Sequence, residues 1–397
     1  MSLTPSRPLS FLPLLILVWA AHLLVDVMLG IWPVYKSLAQ LDLAKAGLVV
    51  AIGAFMGEGS QLFFGALSDR GYQRSILTLG LVLAAASAFL AYFTHYAALF
   101  SLYLLTCIGS GCFHPSGASL MTGLVPSKRG LLMTIFASGG SVGLAFSQLI
   151  FMYVYKDWDK QTYLLALPLL LLALLLFFYP FPKPSAVAPS HAGFLKDFGS
   201  FFKFPPLRSL YLSQVANQSI VWGTIFILPD ALRTLGHMEW VCYGGGHLCF
   251  ILGGACVMVP AGYLADKYSA RQVMLYAGII SSVAFYFILF SGGISISIVL
   301  LSLFILGASL TLINPIAVSL GTRFAPNHPG SVSAFLMGLV WCVSEGLGPG
   351  GVGLMSTLFT DYAPVKALAV LGIFFLLQIS ATFSLPGEVN EMVEVKA

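Results

Sequence analysis

The feature that most constrains this sequence is a succession of apolar runs, each about 20 residues long, separated by short polar gaps. A helix needs about 20 residues to cross a hydrocarbon core roughly 30 Å thick, and the runs lack the period of two typical of barrel strands. Only 9% of the 397 residues are charged and 58% are hydrophobic, too little polar surface for a soluble protein of this size. The sequence therefore predicts an all-α protein that spans a lipid bilayer.

Twelve such runs are present, six on each side of a proline-rich stretch. They predict an N-terminal six-helix bundle over 1–180, a linker over 181–206 with a short amphipathic helix at 194–204 on the membrane surface, and a C-terminal six-helix bundle with a short tail over 207–397. The first run has no small-residue cleavage site, so we expect it to be a retained helix. The predicted helices are 9–31, 44–67, 75–93, 97–124, 131–154, 163–179, 207–228, 242–264, 272–290, 294–320, 331–359 and 364–385.

The basic residues predict the orientation of the chain in the membrane. With an even number of spans, both termini, the linker and the even-numbered loops share one side. That side holds thirteen of the 19 lysines and arginines, which leaves six on the other. Basic residues favour the cytoplasmic side in short loops, so both termini are expected in the cytoplasm.

The two halves of the chain repeat a polar loop. The sequence GALSDRGYQR after helix 2 has its counterpart in GYLADKYSAR after helix 8, and each copy places an acid and two bases between apolar runs. His114-Pro115 and Asn314-Pro315 lie 200 residues apart, as do Gly130 and Gly330. Parallel repeats of this kind predict two related bundles with a site between them near the bilayer midplane.

The repeated loop resembles the signature loop of the major facilitator superfamily. The resemblance implies twelve helices in two pseudo-symmetric six-helix bundles. It also implies that Asp69 lies beside the start of helix 11, at Gly330 and Ser331, and latches that side of the protein while the other side is open. The latch residues matched in the two copies are Gly65, Asp69, Arg70 and Arg74, and Gly262, Asp266, Lys267 and Arg271.

Ionisable residues inside apolar runs are functional candidates because burying a charge in hydrocarbon is expensive. They are His22, Asp26, Glu58, His114, His247 and Glu345. His22 and Asp26 are spaced i,i+4, so they share one face of helix 1 and form a candidate proton-coupling pair. Glu58 and Glu345 are the next candidates for proton coupling. The structural alternative for the pair is a neutral hydrogen bond that holds helix 1 to a neighbour.

Polar residues in helices 1, 4, 7 and 10 predict a cargo pocket, because buried polar groups need partners that water or substrate can supply. The prolines after His114 and Asn314 also free a backbone carbonyl one turn earlier. The predicted lining residues are Trp19, His22, His114, Gln214, Asn217, Gln218 and Asn314.

A narrower resemblance links the chain to the fosmidomycin resistance family. It rests on AHLLVD in helix 1, on Phe113-His114-Pro115 in helix 4 and on Gly139-Gly140 in helix 5, with departures at Val25 and Ser116. The resemblance implies proton-coupled export of a small molecule or drug across a bacterial inner membrane. The small-residue run 137–143 resembles the antiporter motif of efflux members, although such residues equally serve close helix packing.

Other functions remain open from the residues alone. Proton-coupled uptake of a metabolite or iron chelate uses the same fold. His22, Asp26, Glu58 and His114 could instead bind a divalent metal as cargo, although no close His or Cys spacing predicts a tight metal site. A non-transporting membrane receptor is a further alternative. The sequence has no nucleophile motif or phosphate loop and no long basic run, so we expect no enzyme activity, cofactor or nucleic acid partner, and we expect a monomer.

Overall fold

The computed structural model describes residues 11–125, 128–181, 194–326 and 328–387, and within these ranges the regular secondary structure is entirely helical. In these ranges nine helices are long and apolar enough to cross a membrane. Two further apolar helices, Thr162–Phe178 and Val241–Val257, are shorter. The helix Pro205–Thr234 has 30 residues but carries many polar side chains. Together these make the twelve predicted spans, so the all-α membrane fold is confirmed.

We number the spans α1 to α12 and leave the helix of the linker unnumbered. In chain order they are α1 (Phe11–Leu29 and Ile31–Leu38), α2 (Leu43–Leu67), α3 (Gln73–Ala84 and Ala85–Tyr92), α4 (Tyr96–Leu124), α5 (Arg129–Asp157), α6 (Thr162–Leu165 and Ala166–Phe178), the linker helix (Phe194–Lys203), α7 (Pro205–Thr234), α8 (Val241–Gly245 and Gly246–Lys267), α9 (Ala270–Leu289), α10 (Ile296–Thr311 and Ile313–Phe324), α11 (five segments from Pro329–Ala334 to Gly351–Ser356) and α12 (Ala363–Leu371 and Phe374–Phe383).

Two predicted helix ends are wrong. The sequence places the ends of α1 and α7 near Pro33 and Pro229, but α1 continues to Leu38 and α7 to Thr234. Pro33 lies in the first turn of the second α1 segment, where its missing N–H costs little, and Pro229 is accommodated inside α7. Both helices therefore include charged residues, Lys36 and Asp230, that the predicted helix ends place in the loops.

Each half packs its helices in the same way. In the first half α1 packs against α4 and α5, and α4 also packs against α2 and α3. In the second half α7 packs against α10 and α11, and α10 packs against α8 and α9. The halves meet where α2 lies against α11 and α5 lies against α8. This matched packing is the pseudo-symmetry that the repeated loops predict.

The two ends of the molecule differ. We call the end that carries the linker the linker end and the opposite one the far end. At the far end Gly47 of α2 lies against Pro349 and Gly353 of α11, so closely that a side chain on Gly47 would meet the Pro349 carbonyl. At the linker end the turn 68–72 packs on helices of its own half. Among the described residues, this close contact between the halves lies at the far end.

The linker helix covers part of α11. Phe198 and Phe201 place their rings 5.4 and 5.5 Å from the ring of Phe335, and Phe201 is buried. The predicted helix in the linker is therefore present, and it packs aromatic side chains on the second half, while its place on the membrane surface stays a prediction.

Candidate functional site

His22, Asp26 and His114 form a compact cluster inside the first half. His22 and Asp26 lie one turn apart on α1, and α4 brings His114 against them. The two Nε2 atoms are 3.1 Å apart. His22 Nε2 lies 3.6 Å from Asp26 Oδ2, and His114 Nε2 lies 3.4 Å from Asp26 Oδ1. The carboxylate thus presents one oxygen to each imidazole.

Backbone carbonyls lie against the Nδ1 atoms of both rings. His22 Nδ1 lies 2.7 Å from the Phe136 carbonyl oxygen, and a carbonyl only accepts, so His22 Nδ1 carries the hydrogen and donates it. His114 Nδ1 lies 3.0 Å from the Ser110 carbonyl oxygen and 2.9 Å from the Ser110 hydroxyl, which serve its two neutral tautomers. In the tautomer that donates to the carbonyl, both Nε2 atoms are acceptors and face each other beside a carboxylate. A proton or a metal ion between these three acceptors then satisfies all of them.

Aromatic rings enclose the cluster. The His22 ring stacks on Phe136 with centroids 4.0 Å apart, and Phe113 lies 5.7 Å away on another side. Asp26 Oδ1 is a buried atom without a hydrogen bond partner. In such an apolar setting an uncompensated carboxylate charge is costly, so the cluster favours states in which a cation is bound.

Glycines of α5 allow α5 to approach the cluster closely. A side chain on Gly140 would collide with His22 Nε2 and Asp26 Oδ2, and one on Gly139 would meet the backbone and ring of Trp19. Gly143 lies against the Leu23 carbonyl. These positions belong to the small-residue run predicted from the sequence, and here they serve close helix packing.

Two further candidates lie beside the cluster. The indole Nε1 of Trp19 donates to Ser138 Oγ at 3.0 Å, which ties α1 to α5. Glu58 accepts from Gln61 Nε2 at 2.7 Å and interacts electrostatically with His114 and Asp26. Glu58 also interacts electrostatically with Glu345 of α11. Glu58 therefore lies within electrostatic range of both the cluster and a carboxyl group of the other half.

The second half places amides where the first half has titratable groups. Gln214 Nε2 of α7 donates to Asn314 Oδ1 of α10 at 2.6 Å, and Asn217 Nδ2 donates to the Leu310 carbonyl at 3.1 Å. Gln214 Oε1 and Asn217 Oδ1 are buried without a partner, and Gln218 is buried as well. Of the predicted lining residues of α7 and α10, Gln214 and Asn314 bond to each other, Asn217 bonds to the backbone of α10, and Gln218 is buried.

A second charged cluster joins the halves at the far end. Lys36 of α1 donates to Asp230 Oδ2 of α7, and both side chains are almost wholly buried. Arg233 Nη2 lies 3.4 Å from Asp230 Oδ1, and its Nη1 donates to the Ser37 carbonyl at 3.2 Å. The predicted helix 207–228 ends before Asp230, which would leave this residue near a helix end and in contact with water. That interpretation is wrong, because α7 continues past it and the residue is only 3% exposed.

His247 lies outside both clusters. Its Nε2 is 2.8 Å from the Leu144 carbonyl of α5, across the contact between the halves, and its Nδ1 has no partner. Because a carbonyl accepts, Nε2 carries the hydrogen. This candidate therefore acts as a neutral hydrogen bond between α8 and α5.

The repeated loops differ in backbone conformation. Gly71 adopts φ +95°, in the left-handed region that favours glycine, whereas Ser269 in the second loop has φ −114° and needs none. The basic residues of the loops contact aromatic rings, with Arg74 5.2 Å from the Phe181 ring and Arg271 4.9 Å from the Phe383 ring.

Not all latch residues can be placed. The side chains of Asp69 and Asp266 lie outside the described part of the structure, as do the surroundings of Gly262 and Gly330. Arg70 is exposed, Lys267 lies over Tyr263 and Tyr268, and the nearest side-chain atom that a Cβ on Gly65 would meet is 3.5 Å away, on Pro115. The latch stays a prediction.

Sequence reasoning missed two features of the site. It predicts His22, Asp26 and His114 at one site, but no local pattern shows how closely α4 brings His114 to the pair. No sequence pattern indicates that the carbonyls of Phe136 and Ser110 contact the two imidazoles. The charge count places Lys36 among the six basic residues of the loops opposite the termini, although a lysine within an apolar run could have indicated a buried partner.

Twelve spanning helices in two matched bundles, with titratable and amide groups buried at the centre, define the chain as a polytopic membrane protein of the transporter type. The family description "Major Facilitator Superfamily" matches residues 14–349. The chain therefore belongs to the major facilitator superfamily. No curated protein matches the chain.

Solved structures share the fold at low sequence identity. A bacterial homologue of the human lysosomal transporter Spinster, in an inward-facing and occupied conformation, is 15% identical over 96% of this chain and 97% of its own, with a TM-score of 0.76. The inward-facing and unoccupied form of that homologue gives 16% identity, the same coverages and a TM-score of 0.77. A variant of the nucleoside transporter NupG is 14% identical, over 94% of this chain and 98% of its own, with a TM-score of 0.77.

Proposed function

We propose that this protein is a proton-coupled secondary transporter that works by alternating access, and that the His22–Asp26–His114 cluster is its coupling site. One observation carries the proposal: the Nε2 atoms of two imidazoles and a carboxylate converge, with neighbouring atoms within 3.6 Å of one another. Protons are the cations that such a group takes up and releases most readily near neutral pH. Loading and release at this point change the charge buried inside the first half.

The chemistry of the two halves indicates which residues bind the proton and which bind the cargo. The first half carries the titratable cluster, with Asp26 as the proton carrier and His22 and His114 as its partners. Glu58 and Glu345 are the next candidates, since they interact with each other and Glu58 interacts with the cluster. The amides Gln214, Asn217, Gln218 and Asn314, together with Trp19, line the proposed cargo pocket. The proton is then bound by the first half, and the cargo mainly by the second half with Trp19 of the first.

We propose export of a small polar or amphiphilic molecule, since the fosmidomycin-family motifs in α1, α4 and α5 support this direction. The linker end is proposed as cytoplasmic, in keeping with the charge count of the loops, and the membrane as a bacterial inner membrane. The tight contacts at the far end support an inward-facing state. In the outward-facing state Asp69 would approach the start of α11 at Gly330 and latch the linker end.

The proposal is tested with the purified full-length chain. A compound library is first screened for thermal stabilisation, because a ligand that binds only the folded state raises its stability. Compounds that stabilise the protein are then followed in proteoliposomes with a pH gradient imposed in either direction. We expect saturable flux whose direction reverses with the gradient.

Absence of saturable flux for every stabilising compound would contradict transport and favour a receptor. A flux that does not change with the pH gradient would contradict proton coupling but would still support transport. Accumulation on the side opposite to that expected of an exporter would replace export by uptake.

A further inference from the structure

We propose that His22, Asp26 and His114 form a binding site for a divalent transition metal ion of the Zn²⁺ class. Zn²⁺ binds imidazole nitrogen and carboxylate oxygen at about 2.0–2.1 Å in a tetrahedron, which separates neighbouring ligand atoms by roughly 3.3 Å. Here the two nitrogens are 3.1 Å apart, and each lies 3.4 or 3.6 Å from the nearer of the two Asp26 oxygens. All three side chains can offer one ligand atom within 4.8 Å of the others. The site is thus already near the size that a tetrahedral ion needs.

The surroundings of the two imidazoles match those of metal-binding histidines. Histidine ligands usually donate the other ring N–H to a carbonyl or carboxylate, which fixes the tautomer and the ring orientation. His22 does this with the Phe136 carbonyl at 2.7 Å, and His114 with the Ser110 carbonyl at 3.0 Å. In this tautomer of His114, both Nε2 lone pairs point into the cluster.

The ligand set selects the class of metal. Two imidazoles and one carboxylate suit Zn²⁺, Co²⁺ and Ni²⁺, whereas Mg²⁺ and Ca²⁺ prefer oxygen ligands. The ion brings two positive charges, of which Asp26 neutralises one. Glu58, which interacts electrostatically with both Asp26 and His114, supplies a second carboxylate close by. Among the described residues this is the one group of three such side chains with metal-binding spacing.

The cluster leaves room for a fourth ligand. His22 is almost sealed, with 7% of its side chain exposed, but Asp26 and His114 retain 17% and 26%. Three protein ligands plus an open position that water can fill is the arrangement of accessible zinc sites. An ion can therefore enter from the side of Asp26 and His114.

Metal and proton would compete for the same lone pairs. A bound ion occupies both Nε2 atoms and the carboxylate, so proton loading is blocked and Zn²⁺ is expected to inhibit proton-driven flux. This inhibition rests on the proposed function, whereas metal binding does not. Binding and flux must therefore be measured separately.

Binding is measured with Co²⁺, whose visible absorption distinguishes tetrahedral from octahedral sites, on the full-length protein after removal of any histidine tag. We expect one Co²⁺ per chain with tetrahedral bands, displaced by Zn²⁺. His114→Gln and Asp26→Asn should each weaken Co²⁺ binding by about 10-fold to 100-fold or more, the loss commonly seen even for outer-shell residues. Thermal unfolding confirms that each variant is folded.

Matched controls use histidines outside the cluster. His247→Gln removes another buried imidazole, and a variant with His95→Gln, His237→Gln and His328→Gln removes more accessible ones. Both should bind Co²⁺ like the wild type. Co²⁺ affinity that survives His114→Gln, or that is lost in either control, would overturn the assignment.

X-ray absorption of the Zn²⁺-loaded wild-type protein gives a test that needs no variant. Two imidazoles with oxygen ligands at about 2.0–2.1 Å are expected, and a sulfur ligand or an all-oxygen shell would overturn the site. If Co²⁺ binds but no pH gradient drives flux, the proposed function fails and the metal site stands. If gradient-driven flux is present but Co²⁺ does not bind, the metal site fails alone.

Discussion

Two largely buried aspartates each contact two basic side chains. The chemical nature of these bases decides whether each cluster can gain and lose a proton. Asp26 faces the imidazoles of His22 and His114, all within the first half. Asp230 faces the ammonium of Lys36 and the guanidinium of Arg233, and Lys36 comes from the other half. Imidazole changes charge near neutral pH, whereas lysine and arginine ordinarily do not. The central cluster can therefore be loaded and unloaded in place, while the far-end cluster is made or broken when the halves move.

Breaking the far-end cluster should have the largest effect. Asp230→Asn leaves the ammonium of Lys36 buried without a counter-ion, and removing one partner of a buried pair costs about 3–5 kcal/mol. This cost changes the equilibrium constant between the closed and the open far end by about 2 to 4 powers of ten. Spin labels at Gln40 and Met238, on the two halves, should report a longer distance distribution in the variant.

The control removes both charges at once. Lys36→Met combined with Asp230→Leu leaves no unpaired charge, so the short distances should largely return, because replacing a buried pair by apolar groups is often close to neutral. A single Asp230→Asn variant with the wild-type distance distribution would show that this cluster does not hold the far end closed.

Crowding the central cluster should have an intermediate effect. Gly140→Ala places a methyl group against His22 Nε2 and Asp26 Oδ2, so α5 must shift away from α1. Overpacking of this kind costs about 1–3 kcal/mol. Gly338→Ala is the matched control, because a side chain there has nothing within 4 Å. Thermal unfolding should separate the two variants, and equal melting temperatures would argue that the cluster is loosely packed.

The smallest effect concerns titration near the far end. Partial burial lowers the pKa of His237, which lies in the loop between α7 and α8 with Nε2 2.8 Å from Ser291 Oγ. Its folded-state pKa is below the unfolded value of 6.5, so its protonation favours opening. The neutral ring contributes full stability above pH 6.5, and that contribution is lost as the pH falls.

Hydrogen exchange of the loop 235–240, corrected for the intrinsic pH effect, should therefore become faster towards pH 5 in the wild type. His237→Gln should abolish this acid dependence. An acid dependence that persists in the variant would mean that the Lys36–Asp230–Arg233 cluster itself titrates, and the contrast with the central cluster would weaken.

The sequence predicts the twelve spans well because the bilayer fixes helix length and forbids open backbone. It also predicts that His22 and Asp26 meet, because one helical turn brings them together. The contact of this pair with His114 depends on how α4 packs against α1, which no local pattern specifies. The far-end cluster was missed for a related reason. Pro33 and Pro229 read as helix ends, which placed Lys36 and Asp230 in water, but both helices continue past them.

The most direct test of the account is gradient-driven transport by Asp26→Asn, with a stabilising compound as cargo. The amide keeps the shape of the side chain but removes the negative charge and the site that takes up the proton. We expect exchange of cargo without a gradient to persist near the wild-type rate, while accumulation driven by an imposed pH gradient is lost. If Asp26→Asn still concentrates cargo when the pH gradient is imposed, the central cluster is not the coupling site, and Glu58→Gln becomes the variant to measure.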